Sequence, residues 1–444
     1  MTEDFTRFLA GAVGDDAAQK TLAALSLPAS VSVRLNPGKE FDAEYLLAGS
    51  EQVPWNSYGH FLSVRPSFTL DPMFHAGAYY VQDSSAMAVG TVARRFMPPS
   101  GRPFRVLDLC AAPGGKTTDL AASLRAQYGN NFLLVANEVM RTRAIVLADN
   151  VARWGDPCVM VTNCDPKAFA RLEGFFDMIV ADVPCSGEGM FRKDHEAVEQ
   201  WSPDNVALCQ ARQRRIVADA WPSLCRDGVL VYSTCTFNNL ENDDNVAWIL
   251  EELEADVCTP EMDFGWFATR HGYSLLPGFV KGEGQYCAVL RKSSGSGPAI
   301  IRPLKKTRPE AVPESLFSCG MRYVRRGDLS VAVPEEIASD AAAVEPLHPV
   351  MCGTAAGSFK GKDFIPHADL AMSLVLDKGA FAEVEVTKDE ALSFLHKDPL
   401  TLAGAPRGIV LLSCAGLGLG FVKNLGNRTN SLLPAERRIK MNIQ

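Results

Sequence analysis

The chain has 444 residues, 47% of them hydrophobic and 22% charged, which is long enough for two or three domains around a sizeable core. A net charge of −8 excludes a protein that coats nucleic acid with its whole surface, and leaves room only for local basic grooves. Twelve cysteines without paired Cys-x-x-Cys clusters suggest neither a zinc site nor a disulfide framework, and no apolar run approaches a membrane span, so a reduced, cytoplasmic protein with no membrane partner and no metal is expected.

Residues 1 to about 70 open with an amphipathic helix (Phe5, Phe8, Leu9, Val13) and continue into Ser32-Val33-Arg34-Leu35-Asn36-Pro37, a strand stopped by proline. Arg34 and Asn36 read as polar residues of an exposed strand, with a phosphate contact as the alternative. In the stretch Asp71 to Met87, Asp83 or Ser84 caps the apolar helix that follows. His75, Tyr79 and Gln82, close to Gly77, form a candidate pocket wall.

From about 104 to 292, short apolar runs alternate with longer amphipathic segments, which implies an α/β fold with a parallel sheet covered by helices on both faces. The strand candidates are 105–109, 132–137, 158–161, 177–181, 229–232 and 286–290. Ligands of such sheets sit at the carboxyl ends of the strands. The first strand is followed by Cys110-Ala111-Ala112-Pro113-Gly114-Gly115-Lys116, the second by Glu138 with Arg143 beyond it, and the third by Asn163-Cys164-Asp165. The fourth leads to Asp182-Val183-Pro184-Cys185, and the fifth to Ser233-Thr234-Cys235-Thr236.

Gly114-Gly115-Lys116-Thr117 imitates the end of a phosphate-binding P-loop, but that pattern needs a glycine where Cys110 stands. The turn instead offers glycines for close backbone approach and a helix start, expected from Thr117 onward, whose N–H groups face a ligand. Glu138, at the end of the second strand, occupies the place of the acid that holds a ribose diol. It would repel a 2′-phosphate, and the turn lacks the glycine spacing for a pyrophosphate. The expected ligand is therefore a nucleoside without phosphates, of which S-adenosyl-L-methionine is the common one.

Two cysteines at one rim, beside a methyl donor, suggest a specific chemistry. Cytosine C5 is a poor nucleophile until a thiolate adds at C6 and turns the ring into an enamine. A carboxyl group at N3 eases that addition, and Asp182 stands three residues before Cys185. Spacing alone leaves open which cysteine attacks.

These motifs, in this order, resemble the Sun-related RNA cytosine-C5 methyltransferase family, and within it the RsmF-like bacterial branch that modifies small-subunit ribosomal RNA. The resemblance implies that Cys235 is the nucleophile, that Cys185 assists release of the methylated base, and that Asp182 contacts the cytosine. It implies that Cys110, Ala111, Ala112, Pro113, Gly114, Gly115 and Lys116 wrap the methionine part of the cofactor, that Glu138 holds the ribose, and that Asp165 and Arg143 flank the adenine pocket. Asp182 is counted with the cofactor site as well. The segment from His75 to Ser85 resembles the part that closes over the cofactor. Where the family has a histidine after Pro277 and aromatics after Gly282-Glu283-Gly284, this chain has Gly278 and Gln285-Tyr286, a departure that leaves the catalytic positions untouched.

Lys292 to Pro298 is a small-residue linker, followed by a region near 300–385 legible only as a connecting subdomain. From about 386, a helix (Glu390 to Leu395), strands at 408–413 and 417–423 and a basic tail containing Arg428, Arg437, Arg438 and Lys440 resemble the small β-barrel of a PUA-like RNA-binding domain. The expected organisation is an N-terminal RNA-binding or accessory α+β subdomain (1–70), a Rossmann-like doubly wound methyltransferase domain (71–292), the connecting subdomain (300–385) and the PUA-like domain (386–444). The leading expectation is a monomeric RNA (cytosine-C5-)-methyltransferase acting on 16S ribosomal RNA or the small subunit. The same chemistry on tRNA, or a non-catalytic ribosome-assembly factor, are its alternatives.

Overall fold

The computed structural model describes residues 2–305, 312–313 and 315–442. Runs such as Phe132-Leu133-Leu134-Val135-Ala136 are apolar on both faces of a strand and so demand cover from both sides. β1 (Phe104–Asp108), β2 (Phe132–Asn137), β3 (Val159–Thr162), β4 (Phe176–Asp182) and β5 (Leu224–Thr234) lie parallel in the order β3-β2-β1-β4-β5, and β6 (Tyr286–Lys292) runs antiparallel beside β5. Every residue of β1, β2 and β3 is buried. α1 (Gly115–Tyr128) links β1 to β2, α2 (Arg141–Trp154) links β2 to β3, and α3 (Pro203–Ala220) lies between β4 and β5. The fifth strand starts five residues earlier than its apolar run suggests, at Leu224, because Arg226-Asp227-Gly228 belongs to the strand as an exposed irregularity with Asp227 at φ 66°.

The N-terminal helices Glu3–Val13 and Asp15–Leu25 bury Phe5, Leu9, Ala18 and Leu25 against Trp201, Phe237 and Leu276. The strand Ser32–Leu35 sits inside a small antiparallel sheet that takes in Tyr79–Val81, beyond residue 70. Arg34 is therefore no surface residue. Its side chain is 0% exposed, and it donates to Gln82 Oε1 (2.8 Å), Thr118 Oγ1 (2.6 Å) and the Gly115 carbonyl (3.1 Å), with Asp119 at 3.8 Å. Asn36 is buried too, donating to the carbonyls of Gly77 and Trp154. The N-terminal sheet is thus bolted onto α1 and α2 through polar groups rather than facing solvent.

The linker after β6 is pinned at the amino ends of the strands, where Arg226 N donates to the Ser296 carbonyl (2.7 Å). Beyond it, Met321–Arg326, Leu329–Pro334, Thr354–Lys360 and Asp363–Pro366 form a four-stranded antiparallel sheet, and Met351–Cys352 extends the central sheet beside β3. Arg105 of β1 reaches out to Asp340 (2.5 Å), so this region is tied to the central sheet by a buried ion pair.

At the end of the chain, the helix Lys388–His396, with a Thr387/Glu390 capping box, follows the first strand of a sheet formed by Ala382–Glu385, Gly408–Cys414, Leu417–Asn424 and Thr429–Ser431. Its core (Phe394, Val410, Leu412) is continuous with Val33 and Tyr79 of the N-terminal sheet. Arg437, one of the basic tail residues, is a staple: it reaches Asp149 of α2 and Asp369, both at 2.6 Å. Arg428, Arg438 and Lys440 remain exposed.

Arg34→Met removes a buried charge while leaving Gln82 and Thr118 without their donor. The expected loss is about 3 kcal/mol in the first urea unfolding transition, and a loss under about 1 kcal/mol would contradict this role for Arg34.

Candidate active site

At the carboxyl end of β1 the chain turns through Leu109 to Gly114, and α1 starts at Gly115, two residues before the expected helix start. Gly114 sits at φ 114°, in the left-handed region that glycine tolerates, and the Ala112–Pro113 peptide is cis. A Cβ on Gly115 would lie 3.3 Å from Gln82 Cδ and 3.4 Å from Tyr80 Cε1, so the N-terminal segment closes tightly on this turn. Asp108, at the end of β1, is 0% exposed and accepts one hydrogen bond, from Thr117 Oγ1 (2.6 Å). Its other oxygen has no protein partner. Burial, with the nearby Asp182 charge adding to it, pushes this carboxyl up to about 7.

Asn137 ties the first three strand ends together. It donates to the carbonyls of Leu109 (3.3 Å) and Cys164 (3.0 Å), and accepts from Thr162 Oγ1 (2.9 Å). Next to it, Glu138 is only 4% exposed; its Oε1 accepts from Met140 N (2.9 Å) and its Oε2 pairs with Arg143 at 3.2 Å. Arg143 also donates to the Ala112 carbonyl (2.9 Å), which joins the glycine turn to the acid of the second strand. Asp165 stands apart from this cluster: it caps the short helix Pro166–Arg171 by accepting from Lys167 N, and Arg215 lies 3.9 Å away.

The lysine that imitates a P-loop points the other way. Lys116 Nζ lies 2.9 Å from Asp182 Oδ2, while Asp182 Oδ1 accepts from Ser233 Oγ (2.8 Å) and Gln285 Nε2 (2.8 Å). Burial pulls the ammonium pKa down, but the charge and hydrogen bond of Asp182 outweigh it and hold Lys116 above the ordinary lysine range. Beyond Asp182 the two rim cysteines meet, Cys185 Sγ to Cys235 Sγ at 3.1 Å. The contact with Cys235, followed by burial, pushes the Cys185 thiol well above the ordinary range. Burial likewise raises the Cys110 thiol. The sheet edge thus carries a cation, a carboxylate and two thiols next to the glycine turn.

The sequence profile described as 16S rRNA methyltransferase RsmB/F matches residues 98–291. Profiles for the N-terminal domain of 16S rRNA methyltransferase RsmF and for the methyltransferase RsmF PUA domain match residues 1–84 and 381–439. The ribosomal RNA small subunit methyltransferase F of Klebsiella pneumoniae is 30% identical over 448 residues, covering 94% of this chain and 91% of that protein.

The chain belongs to the 16S rRNA methyltransferase RsmB/F family.

The Aliivibrio fischeri protein of the same name is 29% identical over 94% of this chain and 92% of its own. Two solved structures share the fold of this RsmB/F chain. A methyltransferase homolog protein from Pyrococcus horikoshii has a TM-score of 0.54 at 24% identity, covering 66% of this chain and 100% of its own. NSun6 from Pyrococcus horikoshii with SFG has a TM-score of 0.56 at 18% identity, covering 66% and 99%.

Within this RsmB/F chain the candidate pocket wall is kept in part: Tyr79 and Gly77 line a small cavity with Tyr80 and Asn150, while His75 and Gln82 are outside it, and all three polar side chains are engaged in structural contacts. His75 Nε2 donates to the Thr69 carbonyl, Tyr79 donates its hydroxyl to Asp71, and Gln82 holds Arg34. Conversely, Gln285, read from sequence as leaving the catalytic positions untouched, bonds directly to Asp182. Its signal was available: a polar residue at the start of an otherwise apolar antiparallel strand. Glu188, Asn238 and Glu241 were also missed, although each is a polar residue a few positions beyond a rim cysteine.

The protonation of Asp108 gives this site a pH signature. Between its unfolded value of 3.8 and its folded value of about 7, the native state binds a proton that the unfolded chain does not, so stability falls as pH rises through this window and levels off above it. Asp108→Asn is expected to remove that fall. Urea unfolding at about pH 5 and about pH 8 would show the wild type losing stability relative to the variant, whereas parallel behaviour would refute the raised carboxyl.

Proposed function

We propose that this chain is an S-adenosylmethionine-dependent methyltransferase that forms 5-methylcytosine in 16S ribosomal RNA, with Cys235 adding to cytosine C6. The observation that carries this reading is the 3.1 Å meeting of the two thiols, three residues beyond Asp182 and two beyond Ser233, at the edge of the nucleoside cradle.

The residues present fit the cofactor. Glu138, buried and fixed by Met140 N and Arg143, is placed to accept from a ribose diol. The turn from Cys110 to Lys116 would surround the methionine part, with Arg143, and the more distant Asp165, toward the adenine side. The unpartnered Asp108 oxygen beneath the turn is a polar group suited to a cationic ligand. When bound, the cofactor supplies the electrophilic methyl group.

On the base side, Asp182 is held by three donors, so its orientation is fixed before a substrate arrives. It meets the polar edge of the cytosine, with Lys116 balancing its charge. The Cys235 sulfur forms a bond to C6, and the ring electrons move toward C5, which becomes nucleophilic. After methylation a water molecule takes the C5 proton, the C5–H electron pair re-forms the C5=C6 bond, and the C6–S bond breaks with its electron pair returning to Cys235. Cys185, held in its thiol form, assists that release. The target base must leave its stack to reach this depth.

Around the catalytic unit (71–292), the proposed division assigns 1–70 and 386–444 to RNA contact and 300–385 to their connection. The exposed Arg428, Arg438 and Lys440 would supply phosphate contacts that position RNA without reading sequence. The expected partner is the small ribosomal subunit or its RNA, engaged by a monomer in the cytoplasm.

Cys235→Ala is expected to lower methyl incorporation into 16S rRNA by at least about 1,000-fold; intact incorporation would overturn the nucleophile assignment. Cys185→Ala should instead accumulate covalent protein–RNA adducts on a denaturing gel, and their absence would remove its release role. Glu138→Gln should weaken S-adenosylhomocysteine binding about 10-fold in calorimetry, or about 1.4 kcal/mol. Parallel assays on 30S subunits, naked rRNA and tRNA decide the substrate, with tRNA as the preferred acceptor counting against this reading.

A further inference from the structure

The hydrogen bonds around the two thiols cross between their loops. Glu188, three residues after Cys185, accepts at Oε2 from Phe237 N (2.6 Å), two residues after Cys235, and at Oε1 from Trp201 Nε1 (2.9 Å). Glu241, six residues after Cys235, accepts from Ser186 N (3.0 Å), the residue after Cys185, and from Gln213 Nε2 (2.6 Å). Asn238 Nδ2 lies 2.9 Å from a carboxylate oxygen of each. Gly189 N donates to the Cys235 carbonyl (2.8 Å), and the Ser186 and Thr236 hydroxyls meet at 3.0 Å. Each loop therefore contributes a carboxylate that reaches the other loop: Glu188 takes Phe237 N and Asn238 Nδ2 from the Cys235 loop, and Glu241 takes Ser186 N from the Cys185 loop.

Both carboxylates are buried, Glu188 at 1% and Glu241 at 0% exposure. Neither is placed on a strand ladder, and no direct bond joins either to a rim thiol or to Asp182. A buried carboxylate is tolerated only where several donors converge on it, which makes its position intolerant of drift. Here that intolerance is applied to two loops whose tips carry the thiols.

We propose that Glu188 and Glu241 form a reciprocal clasp, as positioning residues that hold Cys185 Sγ against Cys235 Sγ so that release of the base follows its addition. This rests on the covalent reading above. Asn238 is the shared rivet, since one amide nitrogen donates to both acids. A displacement of about 1 Å at a reacting group costs on the order of 100-fold in rate. The clasp therefore bears on the step that needs both sulfurs, and less on cofactor capture, which depends on β1 and β2.

The test uses the full chain with Glu188→Gln and Glu241→Gln, each of which turns an acceptor oxygen into an amide that faces the donors. The first readout is the rate at which diamide joins Cys185 to Cys235: an S–S bond forms, both S–H bonds break, and two electrons and two protons reduce the diazene to a hydrazine. The second is the ratio of covalent RNA adduct to methylated product on 16S rRNA. The expected result is disulfide formation slowed about 10-fold and the adduct ratio raised about 10-fold, with S-adenosylhomocysteine affinity unchanged. If the glutamine variants do not fold, Asn238→Ala carries the same readouts with both acids kept. Wild-type disulfide rate and adduct ratio would overturn the clasp, as would a parallel loss of cofactor affinity. Should Cys235→Ala retain methylation, the covalent reading fails, and the diamide rate alone still decides the clasp: slowed supports it, unchanged overturns it.

Discussion

The parallel pairing of β4 with β5, in a register that sets Asp182 opposite Ser233, is the constraint on which the site depends. In a parallel pair both strands deliver their carboxyl ends to the same rim, so whatever follows Asp182 and Ser233 must share one small volume. Three residues past the first and two past the second stand the thiols. A slip of one residue would send Ser233 to the opposite face of the sheet and remove a donor from Asp182. The burial of β4, apolar and covered from Met178 to Ala181, makes such a slip prohibitive.

Buried polar groups hold the other layers in place, and each is costly unless its partners are all present. Arg34 fixes the N-terminal sheet to α1, Arg105 fixes Asp340 to β1, and Arg437 fixes the end of the chain to α2 and Asp369. All three charges look superficial in a sequence, because nothing local distinguishes an arginine that will be covered from one that will be wet. The consequence for nucleic-acid contact is direct: of the basic tail, Arg437 is already committed to two aspartates, which leaves fewer cations for phosphates than a charge count implies.

How much was legible follows from the range of the forces involved. The strands of the central sheet announce themselves through unbroken apolar runs, and the motif residues through their place just after those runs, so the cradle, Asp182 and both rim cysteines could be read directly. The family resemblance added the proposal that Cys235 is the one that attacks, something no spacing encodes. What stayed hidden depends on contacts between distant segments: Gln285 reaching Asp182 across 103 positions, the crossed carboxylates, and the short strand Met351–Cys352 that joins β3. The irregularity at Asp227 was missed for a different reason, since a charged bulge interrupts the periodicity by which strands are recognised.

Lys116 shows how the local pattern and the folded context diverge. Its sequence setting is that of a phosphate-binding lysine, free to reach a ligand from a helix start. In the fold its ammonium is spent on Asp182, whose second oxygen is already shared by Ser233 and Gln285. The turn after β1 and the ends of β4, β5 and β6 therefore converge on a single carboxylate. That convergence mechanically links the segment proposed to hold a cofactor to the segment proposed to meet a base. A shift of the glycine turn moves the lysine, and the lysine moves the acid. The near balance of charge within the pair also leaves the pocket without a strong net field, which suits an uncharged heterocycle better than a phosphate. The feature that most resembles a nucleotide-phosphate site is thus, once folded, one whose lysine charge is already balanced, which favours the proposed neutral base over a phosphate.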